Sequence, residues 1–132
     1  MNQEFEWPEF FPPDVPPKEA IPASGSAFRL VKNLPPSESD FMSTIEESPD
    51  RTFDNDMIGM CYGTSFFRKL ECIKAKQKRY KSFRNRSIVV GTLTSKHGVQ
   101  LSTPSQGNSH LTFWICPKSQ IYLDFTLDAE AK

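Results

Sequence analysis

Apolar residues alternate with polar ones over several short stretches of the chain, a pattern typical of β-strands that bury one face. Turn-forming residues separate these stretches, and two of the turns, at 96–98 and 117–119, are short enough for hairpins. The apolar run at 57–62 predicts a further, buried strand. The alternating stretches themselves are 27–32, 87–94, 98–103, 110–116 and 120–126. We therefore expect a mostly antiparallel sheet.

One principal helix is expected between residues 64 and 80. Thr64 or Ser65 can cap it by accepting a hydrogen bond from a free backbone donor of the first turn. A shorter helix through Ile45 is expected to begin at Ser37, which forms a capping pair with Asp40. The principal helix buries one face, made of residues spaced by three and four: Phe66, Leu70, Ile73, Gln77 and Tyr80. A helix packed on an antiparallel sheet predicts a single α+β domain.

The first 26 residues have the composition of a tail that precedes this domain. Prolines recur among acidic residues, and proline favours extended or polyproline-like backbone because it fixes φ and lacks a donor. Disordered tails usually lack aromatic residues, yet this one contains four: Phe5, Trp7, Phe10 and Phe11. The tail either packs on its own domain or docks in a groove of a partner. We expect residues 1–26 to form the tail and residues 27–128 the α+β domain.

Charge is sorted along the chain, although the formal net charge is zero. Residues 1–57 carry a net charge of −8 and residues 58–132 a net charge of +8. Nine of the twelve cations in the second part lie between Arg68 and Arg86. This asymmetry predicts a polyanionic partner for the basic segment, or mutual neutralisation of the two halves.

The basic segment is the first candidate binding site. Cations on an exposed helix face can neutralise phosphates, and Tyr80 and Phe83 could stack on unpaired bases. Two observations weigh against this: Tyr80 falls on the predicted core-facing side, and nucleic-acid-binding domains are usually basic overall. An acidic protein surface and plain solvation remain open alternatives. The candidate contact residues are Lys74, Lys78, Lys81 and Arg84.

A dispersed set of polar residues is the second candidate site. Arg29 on the first strand, Tyr62 and Ser65 at a strand-to-helix junction, and His110 at the head of a later strand could converge at one sheet edge. An early arginine followed by a strand with Ser or Thr before a helix loosely resembles the mono-ADP-ribosyltransferase fold. The resemblance implies that the arginine and hydroxyl hold a nicotinamide dinucleotide. The catalytic Glu-x-Glu, which comes late in that family, has no counterpart in the second half of this chain.

The nearest substitutes for that carboxylate are Asp124 and Asp128. No Walker loop, nucleophile elbow or paired carboxylate is present, so we expect no cofactor. His110, where a flexible loop meets a strand, could act as a general base, whereas His97 is expected to be exposed in a turn. Trp114 should lie on the sheet face opposite Phe113, where it is either covered or offered to a partner.

The remaining sequence features indicate the cellular setting. The cysteines Cys61, Cys72 and Cys116 have no metal-ligand spacing, so we expect buried, reduced thiols and no metal. No apolar stretch is long enough for a membrane span, and the N-terminus lacks the pattern of a signal peptide. We expect a soluble, cytoplasmic protein.

Three functions follow as hypotheses. The leading one is an accessory protein that binds a larger protein partner through Phe5, Trp7, Phe10 and Phe11, with the basic helix as a second contact. The first alternative is a small nucleotide-dependent transferase or toxin with Arg29, Tyr62, Ser65 and His110 in its site. The second alternative is binding of RNA or single-stranded nucleic acid. The oligomeric state does not follow from the sequence.

Overall fold

The computed structural model of this chain describes residues 7–48, 50, 58–104 and 107–128. Within these residues, seven strands form one antiparallel sheet. The strands are β1 (Ile21–Pro22), β2 (Gly25–Val31), β3 (Thr64–Phe67), β4 (Ser87–Leu93), β5 (Gly98–Ser102), β6 (His110–Ile115) and β7 (Phe125–Leu127). Their order across the sheet is β1-β5-β6-β3-β2-β4-β7. The predicted α+β class with a mostly antiparallel sheet is confirmed.

The helices are short apart from one. They are α1 (Thr44–Glu47), α2 (Ile58–Cys61) and α3 (Leu70–Arg79), and 3-10 turns occupy Glu38–Phe41, Lys81–Phe83, Ser95–His97, Pro117–Ser119 and Ile121–Asp124. The described part of the chain contains no helix long and apolar enough to cross a membrane. The capping pair predicted at Ser37 and Asp40 is present, although it begins a 3-10 turn, and Ser43 caps α1 separately.

Both faces of the sheet are covered by packed side chains. On one face, Ala27 and Val31 of β2 belong to a core rich in phenylalanine. On the other face, Leu30 packs with Phe67 and with Ile73 of α3. The phenylalanines of the first core are Phe41, Phe66, Phe113 and Phe125. Strand β2 is therefore buried on both sides, whereas its alternation predicted one buried face.

Trp114 is a core residue. Its side chain has no exposed surface, and its indole Nε1 donates a hydrogen bond of 3.1 Å to the Gly59 carbonyl of α2. A buried indole needs such an acceptor because an unpaired donor in the interior is costly. Trp114 is therefore covered by its own domain, which is one of the two alternatives that the sequence left open.

Two segments fold differently from the sequence prediction. The run 57–62, predicted as a strand, contains α2, and β3 lies where the principal helix was expected to begin. Phe66 and Phe67 are both buried, one in each core, which suits a strand covered on both faces. Helix α3 therefore starts only at Leu70 and ends at Arg79, so Tyr80 lies beyond it.

The last predicted strand is shorter than expected. Gln120 adopts a left-handed backbone with φ of 51°, and a 3-10 turn follows it. Strand pairing resumes at Phe125, whose backbone neighbours Gly91 of β4. A side chain at Gly91 would meet the Asp124 carbonyl and the Phe125 ring, so glycine permits this close approach.

The tail residues from Trp7 onward lie in successive turns. Backbone hydrogen bonds run from Phe11 to Pro8, from Val15 to Pro12 and from Ala20 to Pro17, each accepted by a proline carbonyl. Val15 is buried, as is Ala23, which belongs to the phenylalanine-rich core. Strand β1 then pairs with β5, so residues of the 1–26 segment contribute to the sheet.

These contacts predict that two N-terminal truncations will differ in stability. Deleting residues 1–14 removes ring contacts and should cost about 1 kcal/mol of unfolding free energy. Deleting residues 1–23 also removes Val15, β1 and Ala23, and should cost about 3 kcal/mol more because buried apolar side chains are lost. Urea denaturation of the full chain and both truncations measures this. Equal stability of all three proteins would contradict an integral tail.

Candidate functional site

Arg29 and Ser65 lie together between β2 and β3. The Arg29 Nη1 donates to the Ser65 carbonyl and its Nε to the Asp40 carbonyl, each at 2.7 Å. Strands β2 and β3 are paired at Phe28 and Phe67. Beyond this pair, the Arg29 side chain bridges the two strands. The contact to Ser65 is with the backbone, and thus Ser65 supplies a carbonyl to this arrangement.

Tyr62 belongs to a different region, where it packs against the tail. Its ring centroid lies 5.6 Å from Phe11 and 5.9 Å from Phe10, and Trp7 stacks on Phe11. We call Trp7, Phe10, Phe11 and Tyr62 the tail patch. Phe10 is 47% exposed. Of the four predicted tail anchors, Phe5 lies outside the described residues.

His110 is buried on the face of the sheet that carries α3. Its Nδ1 lies 2.7 Å from the Thr103 hydroxyl, and the Phe67 ring contacts it edge to face. The pKa of His110 is lowered to about 4, mainly by burial and also by the nearby charge of Lys76. The structure therefore does not bring the four predicted residues into one site. Arg29 and Ser65 lie together, whereas Tyr62 and His110 lie in two other regions.

The low pKa of His110 predicts a pH dependence of stability. The unfolded histidine takes up a proton near pH 6.5, whereas the folded one does so only near pH 4. Stability should therefore fall as the pH drops from 6.5 towards 4, by up to about 3 kcal/mol. In His110→Gln this component should be missing, which urea denaturation at several pH values measures for both proteins. Parallel pH profiles of the two proteins would contradict the buried neutral state.

His97 is buried as well, whereas the sequence predicted an exposed turn residue. Its Nδ1 accepts a hydrogen bond from the Thr94 backbone, and its Nε2 lies 2.7 Å from the Asp124 carboxylate. The hydrogen bond from His97 holds the pKa of Asp124 below its usual range, and Lys96 adds to this. Asp124, one of the two substitutes for a catalytic carboxylate, thus connects the β4–β5 turn to the turn before β7.

Several exposed cations lie on α3 and directly before and after it. We call this set the basic α3 surface: Lys69, Lys78, Arg79, Lys81 and Arg84, with Tyr80 among them. Lys74, also predicted here, is half-buried. Between residues 58 and 123 the sequence contains one acidic residue, Glu71. The basic α3 surface therefore carries a strong excess of positive charge.

Part of this charge stabilises the helix itself. Lys76, Lys78 and Arg79 lie in the last turn of α3, where cations interact favourably with the helix dipole. Arg84 donates from its Nε to the Lys78 carbonyl at 3.2 Å and so satisfies a carbonyl of that turn. Lys81, by contrast, follows the helix, and its exposed charge is not explained by this effect.

Tyr80 is the exposed aromatic residue of the basic α3 surface. Because α3 ends at Arg79, the Tyr80 side chain leaves the core-facing side and is 45% exposed. The Arg79 guanidinium lies 5.5 Å from its ring centroid, and Phe83 contacts the ring edge to face. Beside it, a groove of about 670 Å³ runs between α3 and the turn at 107–109.

No protein-family model, curated protein or solved structure matches this chain.

One contact near the basic α3 surface has a signal in the sequence, that of Gln77. Gln77 was assigned to the buried face of the helix, and a polar residue there needs a hydrogen-bond partner. Its amide donates to the Arg86 carbonyl at 2.6 Å and thereby fixes the turn after α3. Cys61, Cys72 and Cys116 form no disulfide, and Cys72 is half-buried whereas the other two are buried. The described residues contain no group of three or more metal-ligating side chains.

Proposed function

We propose that this chain binds single-stranded nucleic acid through the basic α3 surface. The observation that carries the proposal is the exposed Tyr80 ring among cations. Cationic side chains that follow a phosphate backbone, combined with aromatic rings that stack on bases, are what single-strand binding requires. The position of Tyr80 also removes the main objection from the sequence, which placed this ring in the core.

In this proposal each residue type has a defined task. Lys78, Lys81 and Arg84 neutralise phosphates, and the ring of Tyr80 stacks on a base. Such stacking contributes about 1–3 kcal/mol per base and tolerates any sequence. Because a base in a duplex has its faces covered by neighbours, the ring favours unpaired strands. Binding is therefore expected to depend little on sequence and strongly on strandedness.

Plain solvation explains the basic α3 surface less well. Solvated helix faces usually mix both signs, because opposite charges three or four residues apart stabilise a helix and like charges destabilise it. Between Arg68 and Arg86 nine cations accompany one carboxylate, Glu71. An excess of this size costs stability and is offset when a polyanion binds.

The proposal is tested by comparing a labelled single strand with the duplex of the same sequence. Fluorescence anisotropy should show tighter binding of the single strand, and loss of that preference in Tyr80→Ala. Unlabelled polyglutamate serves as a competitor of the same charge sign without bases. If polyglutamate displaces the strand as well as an unlabelled strand does, an acidic protein surface is the better partner and the proposal fails.

The tail patch supports a second proposal, the accessory role. Phe10 is half-exposed although it contacts the rings of Phe11 and Tyr62. An exposed aromatic residue on an ordered platform is a suitable anchor for a larger protein partner. Phe10→Ala should then weaken complex formation in a pull-down while the melting temperature changes little. Retention of the complex in this variant would argue against the role.

A further inference from the structure

A cavity of about 320 Å³ lies between the sheet, α1 and α3, beside the buried side chain of Arg29. We call it the Arg29 cavity. Its charged lining residues are Arg29, Lys76 and Arg86, together with one carboxylate, that of Glu47. Phe67 and Phe83 form apolar parts of the wall. Lys78, Lys81 and Arg84 do not line it, so the cavity is distinct from the phosphate contacts proposed above.

The Arg29 guanidinium has hydrogen-bonding capacity left for a ligand. The residue is 8% exposed, and its Nε and Nη1 donate to the Asp40 and Ser65 carbonyls. Its Nη2 makes no hydrogen bond to the described residues: the nearest recorded carboxylate oxygen, from Glu47, is 3.9 Å away. Because no buried polar side-chain atom of the described residues lacks a hydrogen-bond partner, the Nη2 atom is accessible, and an acceptor can reach it from the cavity that Arg29 lines.

Lys76 and Arg86 are held near this place by Phe83. The Lys76 Nζ lies 5.6 Å and the Arg86 Cζ 4.8 Å from the Phe83 ring centroid. The hydrogen bond from Gln77 to the Arg86 carbonyl fixes the backbone between them. The cations are thus positioned by contacts that need no ligand, and preorganised groups bind with a smaller entropic cost.

The charges that line the cavity are not balanced among the described residues. Three cations face one carboxylate, and Glu47 is itself 41% exposed. The Asp40 carboxylate is engaged elsewhere, since it accepts from the Lys32 and Ser37 backbone. The pKa of Arg29 is lowered to about 10, mainly by burial and also by the charge of Arg86, although the Glu47 carboxylate acts in the opposite direction. Burial and the Arg29 charge likewise lower the pKa of Lys76.

We propose that the Arg29 cavity binds a phosphate monoester. Two guanidinium groups and an ammonium group can each donate to the oxygens of a phosphate dianion, and charge-assisted bonds of this kind are the strong ones. The rings of Phe67 and Phe83 offer an apolar wall for the esterified group. The ester is either a free mononucleotide-sized molecule or the phosphorylated end of a nucleic acid strand. The site does not depend on the function proposed above.

Thermal unfolding of the full chain tests the site, with inorganic phosphate and adenosine 5′-monophosphate as probes and chloride at matched ionic strength as the reference. Both phosphates should raise the melting temperature above the chloride value. Calorimetric titration should show affinity reduced about tenfold or more in Lys76→Met and Arg86→Gln, since each removes a charged hydrogen bond. Lys18→Met, which removes an exposed cation that does not line the cavity, should bind as the wild type does.

Glu47→Gln separates binding from folding. Removing this carboxylate should tighten phosphate binding by about threefold or more, because a like charge leaves the site. A misfolded variant cannot bind more tightly, so this result would not arise from loss of structure. No stabilisation by phosphate beyond chloride, or an equal loss of affinity in Lys18→Met and Lys76→Met, would overturn the site.

Oligonucleotides with and without a 5′-phosphate identify the source of the ester. Tighter binding of the phosphorylated strand, lost in Arg86→Gln, assigns the strand end. Equal binding of both strands, together with retained binding of adenosine 5′-monophosphate, assigns a free ester. Both results support the site. If wild-type protein binds no strand but still binds the mononucleotide, the single-strand proposal fails and the cavity proposal stands.

Discussion

The triple variant Lys78→Glu/Lys81→Glu/Arg84→Glu should bind single-stranded RNA at least about a hundredfold more weakly than the wild type at about 50 mM salt. Each lost cation means one phosphate that is no longer neutralised, so the entropy gained by releasing its counterion is lost. Each new glutamate also repels the phosphate backbone. All three side chains are exposed, so the fold should be retained, with some loss of stability because Lys78 and Arg84 also stabilise the end of α3. Fluorescence anisotropy with labelled oligouridine measures the affinity, and circular dichroism checks the fold.

A matched control separates the position of the charges from their number. Lys18→Glu/Lys32→Glu/Lys118→Glu makes the same change in net charge at exposed lysines on other parts of the chain. This control should lose little affinity, because contacts beyond about 10 Å are screened at ordinary salt. If the control weakens binding as much as the α3 variant, the basic α3 surface is not the binding site.

Arg29→Met should lower the free energy of unfolding by about 4 kcal/mol, since two carbonyls in a poorly hydrated region lose a charged donor. The Asp40 and Ser65 carbonyls accept from Arg29 at 2.7 Å each. The guanidinium also lies within 6 Å of the Phe41 and Phe66 ring centroids, at 5.8 and 5.6 Å. Methionine fills similar space but cannot donate to either carbonyl.

Urea denaturation of Arg29→Met and of the neighbouring exposed variant Lys32→Met measures this difference. Lys32→Met should stay within about 0.5 kcal/mol of the wild type, as surface substitutions usually do. An Arg29→Met protein as stable as the wild type would mean that Arg29 does not hold β2, β3 and the Asp40 turn together. That result would favour the alternative hypothesis that Arg29 has a catalytic role.

The sequence predicted the regular part of the sheet well. Strands β4, β5 and β6 follow from alternation bounded by turn residues, and the structure places them within one residue of the predicted ends. The local sequence pattern was enough to locate these strands, because each of them pairs with a neighbour close in sequence or shows a clear two-residue period. The fold class followed from these strands and from the one amphipathic helix.

Other elements depended on tertiary contacts that no local pattern reveals. A short apolar run such as 57–62 suits a strand or a buried helix equally, and the packing of Trp114 on Gly59 accompanies the helical form. Phe66 was predicted on the buried face of the principal helix, whereas Phe66 and its neighbour Phe67 are buried on opposite faces of a central strand. That error also hid the exposure of Tyr80.

The candidate sites were predicted in part. The cations of the basic α3 surface were evident from composition. Arg29 and Ser65 were expected near each other, but Ser65 lies in β3 and accepts through its backbone carbonyl, whereas the sequence predicted a helix cap. The convergence of Lys76 and Arg86 on the same cavity could not be predicted, because it depends on the turn closed by Gln77 and on the Phe83 ring. The hydrogen bond between His97 and Asp124 likewise joins residues far apart in sequence, so it could not be predicted either.

The affinity of the full-length chain for labelled oligouridine, measured between about 50 and 200 mM salt, tests the central claim most directly. Five exposed cations beside Tyr80 predict that the logarithm of the association constant falls linearly with the logarithm of the salt concentration, with a slope of roughly −2 to −3.5. A slope near zero, or no binding at the lowest salt, would contradict nucleic-acid binding by the basic α3 surface.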